Sequence, residues 1–302
     1  MADGRPGRHE VGDATTTIQC SIGVLTRNNA SLLPRLLASV TDFDEVIVCD
    51  GGSDDGTVEL ARREGCVVIA QAPEFQAEDG RLRDFFGARN QMLDVASNTW
   101  FFQLDSDEDL STELVEEIRS TLADGPQASG FLVPFTYRVG ARLHDAASGY
   151  PGYQIRLFRT DRGLRYSGAV HESIGLDADT LPALQAPYHR NLPPARRLPR
   201  RWAHYLALEG RTVDPATPID RLLRGRVKWT LEAGARTMVF LGSEQRRRAD
   251  RPLPVRYELL SVTYRVASAA VWVATAVRQR SRRSRPEGRH QRTPDGSDDG
   301  TC

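Results

Sequence analysis

The chain has 302 residues, of which 40% are hydrophobic and 26% charged. That balance excludes a disordered or fibrous chain and leaves enough apolar side chains for a real core. Its 40 Lys and Arg against 40 Asp and Glu give no formal net charge, which excludes a uniformly basic nucleic-acid binder.

The charge is unevenly spread. Acids gather at Asp54-Asp55 and at Asp105, Asp107, Glu108 and Asp109, whereas arginine pairs and triplets recur from Arg196 onward. Lys228 is the one lysine, so arginine is the default cation here and most of these residues read as solvated surface. The four cysteines, Cys20, Cys49, Cys66 and Cys302, form no Cys-x-x-Cys pair; Cys20 and Cys49 read as small hydrophobes in apolar runs, and the chain as reduced and cytosolic. Residues 1–16 are polar, lack the apolar middle of a signal peptide, and are expected to be a disordered tail.

In chain order, residues 17–26 form an apolar, β-branched run that predicts a buried strand. Ser31 then stands where it could cap a helix carrying Leu32, Leu33, Leu36, Leu37 and Val40 on one face. Residues 45–49 (EVIVC) predict a second strand, 57–64 a helix and 66–70 a third strand. Strand alternating with helix is the pattern of a mainly parallel sheet with helices on its faces. Residues 85–97 read as a helix, 100–104 (WFFQL) as a fourth strand, 111–122 as an amphipathic helix, and 130–139 and 153–159 as further strands. From residue 193 the pattern turns helical and basic, with candidate helices at 197–209 and 219–241. Residues 255–277 are long enough to span a bilayer, but Arg256, Glu258 and Arg265 interrupt them. A central arginine costs about 2.5–3.5 kcal/mol on insertion scales, so a packed or membrane-surface helix is expected there. The expected division is a tail at 1–16, a domain at 17–192, a helical basic extension at 193–278 and a second tail at 279–302. Residues 296–301 repeat the GSDDGT of residues 52–57, but no strand precedes the second copy, so it is read as chance.

Two acidic turns carry chemistry. Asp50 ends the second strand, where ligands of open α/β sheets bind, and Gly51, Gly52 and Gly56 let the backbone turn sharply behind it. Its carboxylate can accept hydrogen bonds from a base or a ribose, while Asp54 or Asp55 can cap the next helix. Asp105-Ser106-Asp107 emerges from the apolar WFFQL strand. Two crowded carboxylates repel, and a divalent cation relieves that repulsion.

TRNNASLLPRLLASV, EVIVCDGGSDDGT and ARNQMLDVASNTWFFQLDSDE, in this order, resemble the successive motifs of family 2 glycosyltransferases, in particular the bacterial enzymes of lipopolysaccharide cores and surface glycans. YQIRLFRTDRGLRYSGAVHES resembles the next segment of that subgroup. The resemblance implies a GT-A fold, Rossmann-like with a mainly parallel sheet and helices on both faces, here with a helical C-terminal extension. It implies a nucleotide-sugar donor, UDP-linked first, a glycan or lipid-linked acceptor, and a Mn²⁺ or Mg²⁺ ion. By motif it gives donor binding to Thr26, Arg27, Asp50, Arg89, Asn90 and Asp105. Metal binding falls to Asp107, Asp105 and His171, and the general base to Glu172, with Glu108 as the second candidate.

The Gln-x-x-Arg-Trp motif of processive synthases is incomplete, since Arg201-Trp202 follows Leu198-Pro199-Arg200. Transfer of a single sugar is therefore expected, in the cytoplasm or peripherally at the inner membrane face through the C-terminal region. A nucleotidyltransferase is the competing enzyme class, disfavoured because LTRNNAS lacks a glycine-rich basic loop. A non-catalytic nucleotide-sugar-binding protein of the same fold is the competing class without chemistry. The arginine-rich tail lacks interleaved aromatics, so no nucleic-acid partner is expected.

Overall fold

The computed structural model of the chain describes residues 17–78, 80–167, 173–211 and 219–283. Chain order runs β1 (Ile18–Thr26), α1 (Leu33–Ala38), β2 (Phe43–Asp50), α2 (Thr57–Arg63), β3 (Val67–Ala70), α3 (Phe85–Val95), β4 (Trp100–Asp105), β5 (Glu108–Leu110) and α4 (Thr112–Ala123). It continues with β6 (Gly130–Val139), β7 (Arg142–His144), β8 (Gly152–Arg159) and β9 (Tyr188–Leu192). Four helices follow: α5 (Leu198–Arg211), α6 (Ile219–Gly242), α7 (Glu244–Arg248) and α8 (Val255–Arg283).

The strands form one mixed sheet in the order β3-β2-β1-β4-β8-β6-β9-β5, with β7 on β6. The first four pair in parallel, as the strand–helix alternation predicts. β4–β8, β8–β6 and β9–β5 are antiparallel, so the sheet is less uniformly parallel than expected. β5 begins three residues after β4 ends, yet it lies four places away, at the end of the sheet order. Only a curled sheet can join those two positions, and the turn at Ser106-Asp107 spans the join.

β1 is central and buried on both faces. On one face Ile22 and Val24 pack with Phe102, Leu104, α1 and α4. On the other, Leu25 and Phe101 pack with Ala88, Met92 and Leu93 of α3. Gly23 makes the close contact possible: a Cβ there would lie 2.1 Å from Cζ of Phe101. Helices thus cover both faces, which is the expected α/β architecture, and a helical C-terminal region follows it.

Two capping expectations change. Leu32, not Ser31, is the N-cap of α1, and no side chain bonds there. Gly56 is the N-cap of α2, at φ +88°. Asp55 still serves that helix start, because its Oδ1 accepts from the Thr57 N–H at 3.1 Å. Asp84 and Ser111 cap α3 and α4, accepting from Gly87 at 2.9 Å and Leu114 at 3.1 Å.

α8 runs to Arg283, past the expected end of the extension at residue 278. By length and composition alone, Val255–Arg280 could cross a membrane, with a mean hydropathy of 1.3 over its apolar window. It also carries tertiary anchors. The fully buried Glu209 of α5 accepts from Tyr264 at 2.7 Å, Trp272 at 3.1 Å and Ser268, all on α8. Three neutral donors on one carboxylate satisfy a group that burial would otherwise penalise.

Candidate active site

The parallel strands end together. In register, Thr26 of β1 faces Asp50 of β2, and Leu25 faces Asp105 of β4. Asp50 and Asp105 therefore stand two strands apart, about 10 Å at ordinary strand spacing.

The loops after β1 and β2 are laced together. Asn28, at φ +54°, donates its N–H to Ser53 Oγ (2.8 Å) and accepts from the Asp54 N–H (2.9 Å). Ala30 donates to Asp55 at 3.0 Å, and Asn29 to Thr57 Oγ1 at 2.9 Å. The Thr57 hydroxyl and the amides of Ala30 and Thr57 hold the Asp55 carboxyl below its ordinary range. Asp50 organises its own loop, accepting from the N–H groups of Gly52 (2.9 Å) and Ser53 (2.8 Å) and from the Ser53 hydroxyl. Thr26 is buried and its hydroxyl meets the Asn29 amide at 3.3 Å, while the exposed Arg27 head packs on Gly80.

Beside these loops opens a cleft of about 1120 Å³. Arg89, Asp105 and Asp107 line it; Thr26, Arg27, Asp50, Asn90 and Glu108 do not. Asn90 binds backbone on both amide atoms, donating to the Tyr166 carbonyl (3.0 Å) and accepting from the Tyr166 N–H (2.8 Å). It pins the segment that leads to His171 and Glu172, and those two residues lie outside the described ones.

The acid turn is built on arginines. Arg89 Nη2 lies 3.1 Å from Asp105 Oδ1, and Arg156 Nη2 3.5 Å from Oδ2. Burial disfavours the Asp105 charge, but Arg156, Arg89 and Arg190 outweigh it and hold the carboxyl well below the usual range. Glu108 takes Arg156 Nη2 at 2.9 Å and Arg190 Nε at 3.1 Å on one oxygen, and the Asp105 N–H at 3.0 Å on the other. Its side chain is 1% exposed. Burial pushes its carboxyl up to about 7; Arg156 opposes this and the Asp105 charge reinforces it. With both oxygens taken and no face on the cleft, Glu108 holds the turn and is a poor base for an acceptor hydroxyl.

Asp107 points into the cleft. Its carbonyl accepts from the backbone and side-chain N–H of Asn191, both at 2.9 Å. Its Oδ2 receives Arg201 Nη1 at 2.7 Å, and Oδ1 takes no hydrogen bond among the described residues. Arg201 lies in the first turn of α5, a position whose sequence reads as a solvated helix start. Arg190 carries no motif signal either, and Arg156, although it lies in the YQIRLFR segment that resembles the family, takes no role from that resemblance; a charged residue in an alternating strand reads as a solvent face. Asn191 follows from no pattern.

Asp105 and Asp107 could hold a divalent cation. Among the described residues no three His, Cys, Asp or Glu side chains form a metal-binding group. Two carboxylates, one with an open oxygen, fit a cation shared with substrate phosphates and not an all-protein cage.

Residues 21–168 match the model of Glycosyl transferase family 2. A TPR repeat-containing protein of Synechococcus elongatus is 37% identical over 169 residues, covering 55% of this chain and 37% of the relative. An uncharacterized glycosyltransferase of Rickettsia bellii is 27% identical over 175 residues, covering 58% and 45%. The chain thus spans less than half the length of these curated relatives. Staphylococcus aureus TarS is a structural neighbour at 14% identity and a TM-score of 0.42, covering 87% of this chain and 91% of that one.

Proposed function

The chain belongs to the family 2 glycosyltransferases through residues 21–168, and on that footing we propose that it moves a single sugar from a nucleotide-sugar donor, UDP-linked first, to an acceptor hydroxyl. The observation that carries this reading is the meeting of Arg89, Asp105, Asp107 and Arg201 on one cleft at the carboxyl ends of parallel strands.

Transfer forms a bond from the acceptor oxygen to the anomeric carbon and breaks the bond from that carbon to the diphosphate. The electron pair leaves with the diphosphate, and attack opposite the leaving group inverts the centre. Arg89 and Arg201 would meet the charge that develops on the leaving group. Mn²⁺ or Mg²⁺, held by Asp107 with Asp105 and expected also on His171, would add charge neutralisation there. Asp50 and its loop would receive the nucleoside. Glu172 would take the acceptor proton, a role that rests on the motif resemblance.

The acceptor would be a glycan or lipid-linked glycan of the cell envelope. Exposed Leu231, Met238 and Val239 on α6, with Leu259 and Val266 on α8, favour contact with a membrane surface.

The test is nucleoside diphosphate release from a panel of nucleotide sugars with Mn²⁺ or Mg²⁺, with and without EDTA. Metal-dependent release that Asp107→Ala abolishes is the expected result. No release and no donor binding from any nucleotide sugar would sink the reading.

A further inference from the structure

Six arginines and three carboxylates line the cleft. Four of the arginines are matched: Arg89 and Arg156 on Asp105, Arg156 and Arg190 on Glu108, Arg201 on Asp107. Arg236 of α6 and Arg265 of α8 are different. Neither forms an ion pair among the described residues, and Arg236 lies close enough to disfavour the Arg265 charge. Arg265 is held in place by stacking, its guanidinium carbon 4.4 Å from the centre of the Trp229 ring.

The third carboxylate on the cleft wall already has hydrogen-bond partners. Glu258 of α8 is buried, and both its oxygens accept from Ser148, one from the N–H at 2.9 Å and the other from the hydroxyl. Thr237 beside Arg236 adds its hydroxyl, 3.3 Å from Ser148 Oγ. Tyr137 of β6 connects the two regions: its hydroxyl feels Arg190 from the sheet and Arg265 from the helices. One continuous cleft therefore carries acids with matched arginines at the strand ends and two unmatched cations under the helices. Both cations lie outside the matched family domain.

We propose that Arg236 and Arg265 form a second anion subsite, which binds a phosphate group carried by the acceptor. Two neighbouring guanidiniums repel until an anion lies between them, and the planar forks suit phosphate oxygens. A phosphate held there, in the same cleft as the donor diphosphate, would orient the acceptor hydroxyl by a group remote from the reacting bond. The assignment to an acceptor rests on the glycosyltransfer reading; the anion subsite itself does not.

Calorimetric titration of the full chain with inorganic phosphate, with and without saturating UDP, tests this. Phosphate should still bind when UDP is present. Arg236→Gln/Arg265→Gln should weaken that binding at least about tenfold and leave UDP affinity within about twofold. Arg236 is exposed on α6, so Arg236→Gln alone repeats the test if the double variant fails to fold. Unchanged phosphate affinity in the variants overturns the proposal. So does phosphate binding that UDP abolishes, or a parallel loss of UDP affinity, since either would put these arginines in the donor site. Phosphate binding without any UDP binding would overturn the donor reading and leave the subsite standing. Competition by phosphatidylcholine vesicles only when they contain phosphatidic acid assigns the phosphate to a lipid acceptor; no competition assigns it to a soluble one.

Discussion

Replacing Arg156 by Met removes the guanidinium that ties the acid turn together. Arg156 is 5% exposed. It donates to Glu108 (2.9 Å), Gln154 Oε1 (3.0 Å), the Gln103 carbonyl (3.2 Å) and the Tyr188 hydroxyl (3.3 Å), and lies 3.5 Å from Asp105. Breaking a buried pair by removing one partner costs about 3–5 kcal/mol, because the other charge stays buried. Arg190 remains on Glu108 at 3.1 Å, so the low end applies. Glu108 can also escape by protonation: its carboxyl already sits at about 7, and losing Arg156 drives it higher. The folded variant then keeps its proton over a pH range in which the wild type has released it. Its stability therefore falls further behind as pH rises above about 7, by up to about 1.4 kcal/mol per pH unit in that window. Urea unfolding at about pH 6 and about pH 8 reads both numbers. Adding Glu108→Gln removes the stranded charge and should recover about 2 kcal/mol at the higher pH. A deficit below about 1 kcal/mol that does not change with pH would refute the reasoning.

The remaining changes probe separate parts of the site. Asp107→Ala should weaken donor binding at least about tenfold while shifting the unfolding midpoint little, since its pair with the half-exposed Arg201 is worth under about 1 kcal/mol; unchanged donor affinity by calorimetry would remove Asp107 from the site. Asn90→Ala loses both hydrogen bonds to Tyr166 and should cost about 1–3 kcal/mol, with faster amide exchange at Tyr166; unaltered exchange there would contradict the pinning role. Gly23→Ala puts a methyl 2.1 Å from the Phe101 ring and should destabilise by more than about 2 kcal/mol in urea titration. A loss of less than about 0.5 kcal/mol would mean the sheet can yield there.

The parallel strands and the acids at their ends were legible because their signals are local. β1, β2 and β4 are apolar runs that stop at polar residues, so the acids at their ends announce themselves. Arg89 sits on the helix just before one of those strands. β5 was not legible: three residues, two of them acidic, become a strand only because β9 arrives from some 80 residues away to pair with them. Without that pairing, Glu108 reads as a second candidate base and not as the buried acid that holds the turn. Arg156 was hidden for the complementary reason. In YQIRLFR it occupies the polar phase of an alternation, which predicts water, but the curled sheet turns that phase toward Glu108 and Asp105. A buried charge with a distant partner looks like a surface charge until the fold is known. Arg201 is seen in sequence only as half of an incomplete Arg-Trp motif, and its partner Asp107 is 94 residues earlier.

The partners of the two aspartates also separate their work. Both oxygens of Asp105 face guanidiniums, at 3.1 and 3.5 Å, so any cation approaching it must compete with Arg89 and Arg156. Asp107 gives only one oxygen to Arg201 and presents that pair to the cleft. A cation would therefore find its main protein ligand in Asp107, while Asp105 fixes Arg89 where a diphosphate would meet it. Arg201 is the adaptable member: its side chain is 45% exposed, so it can exchange Asp107 for a phosphate oxygen at little desolvation cost. The acid pair would then not be a symmetric metal clamp. Asp105 holds Arg89 in place, and Asp107 would share its charge between Arg201 and whatever a substrate brings.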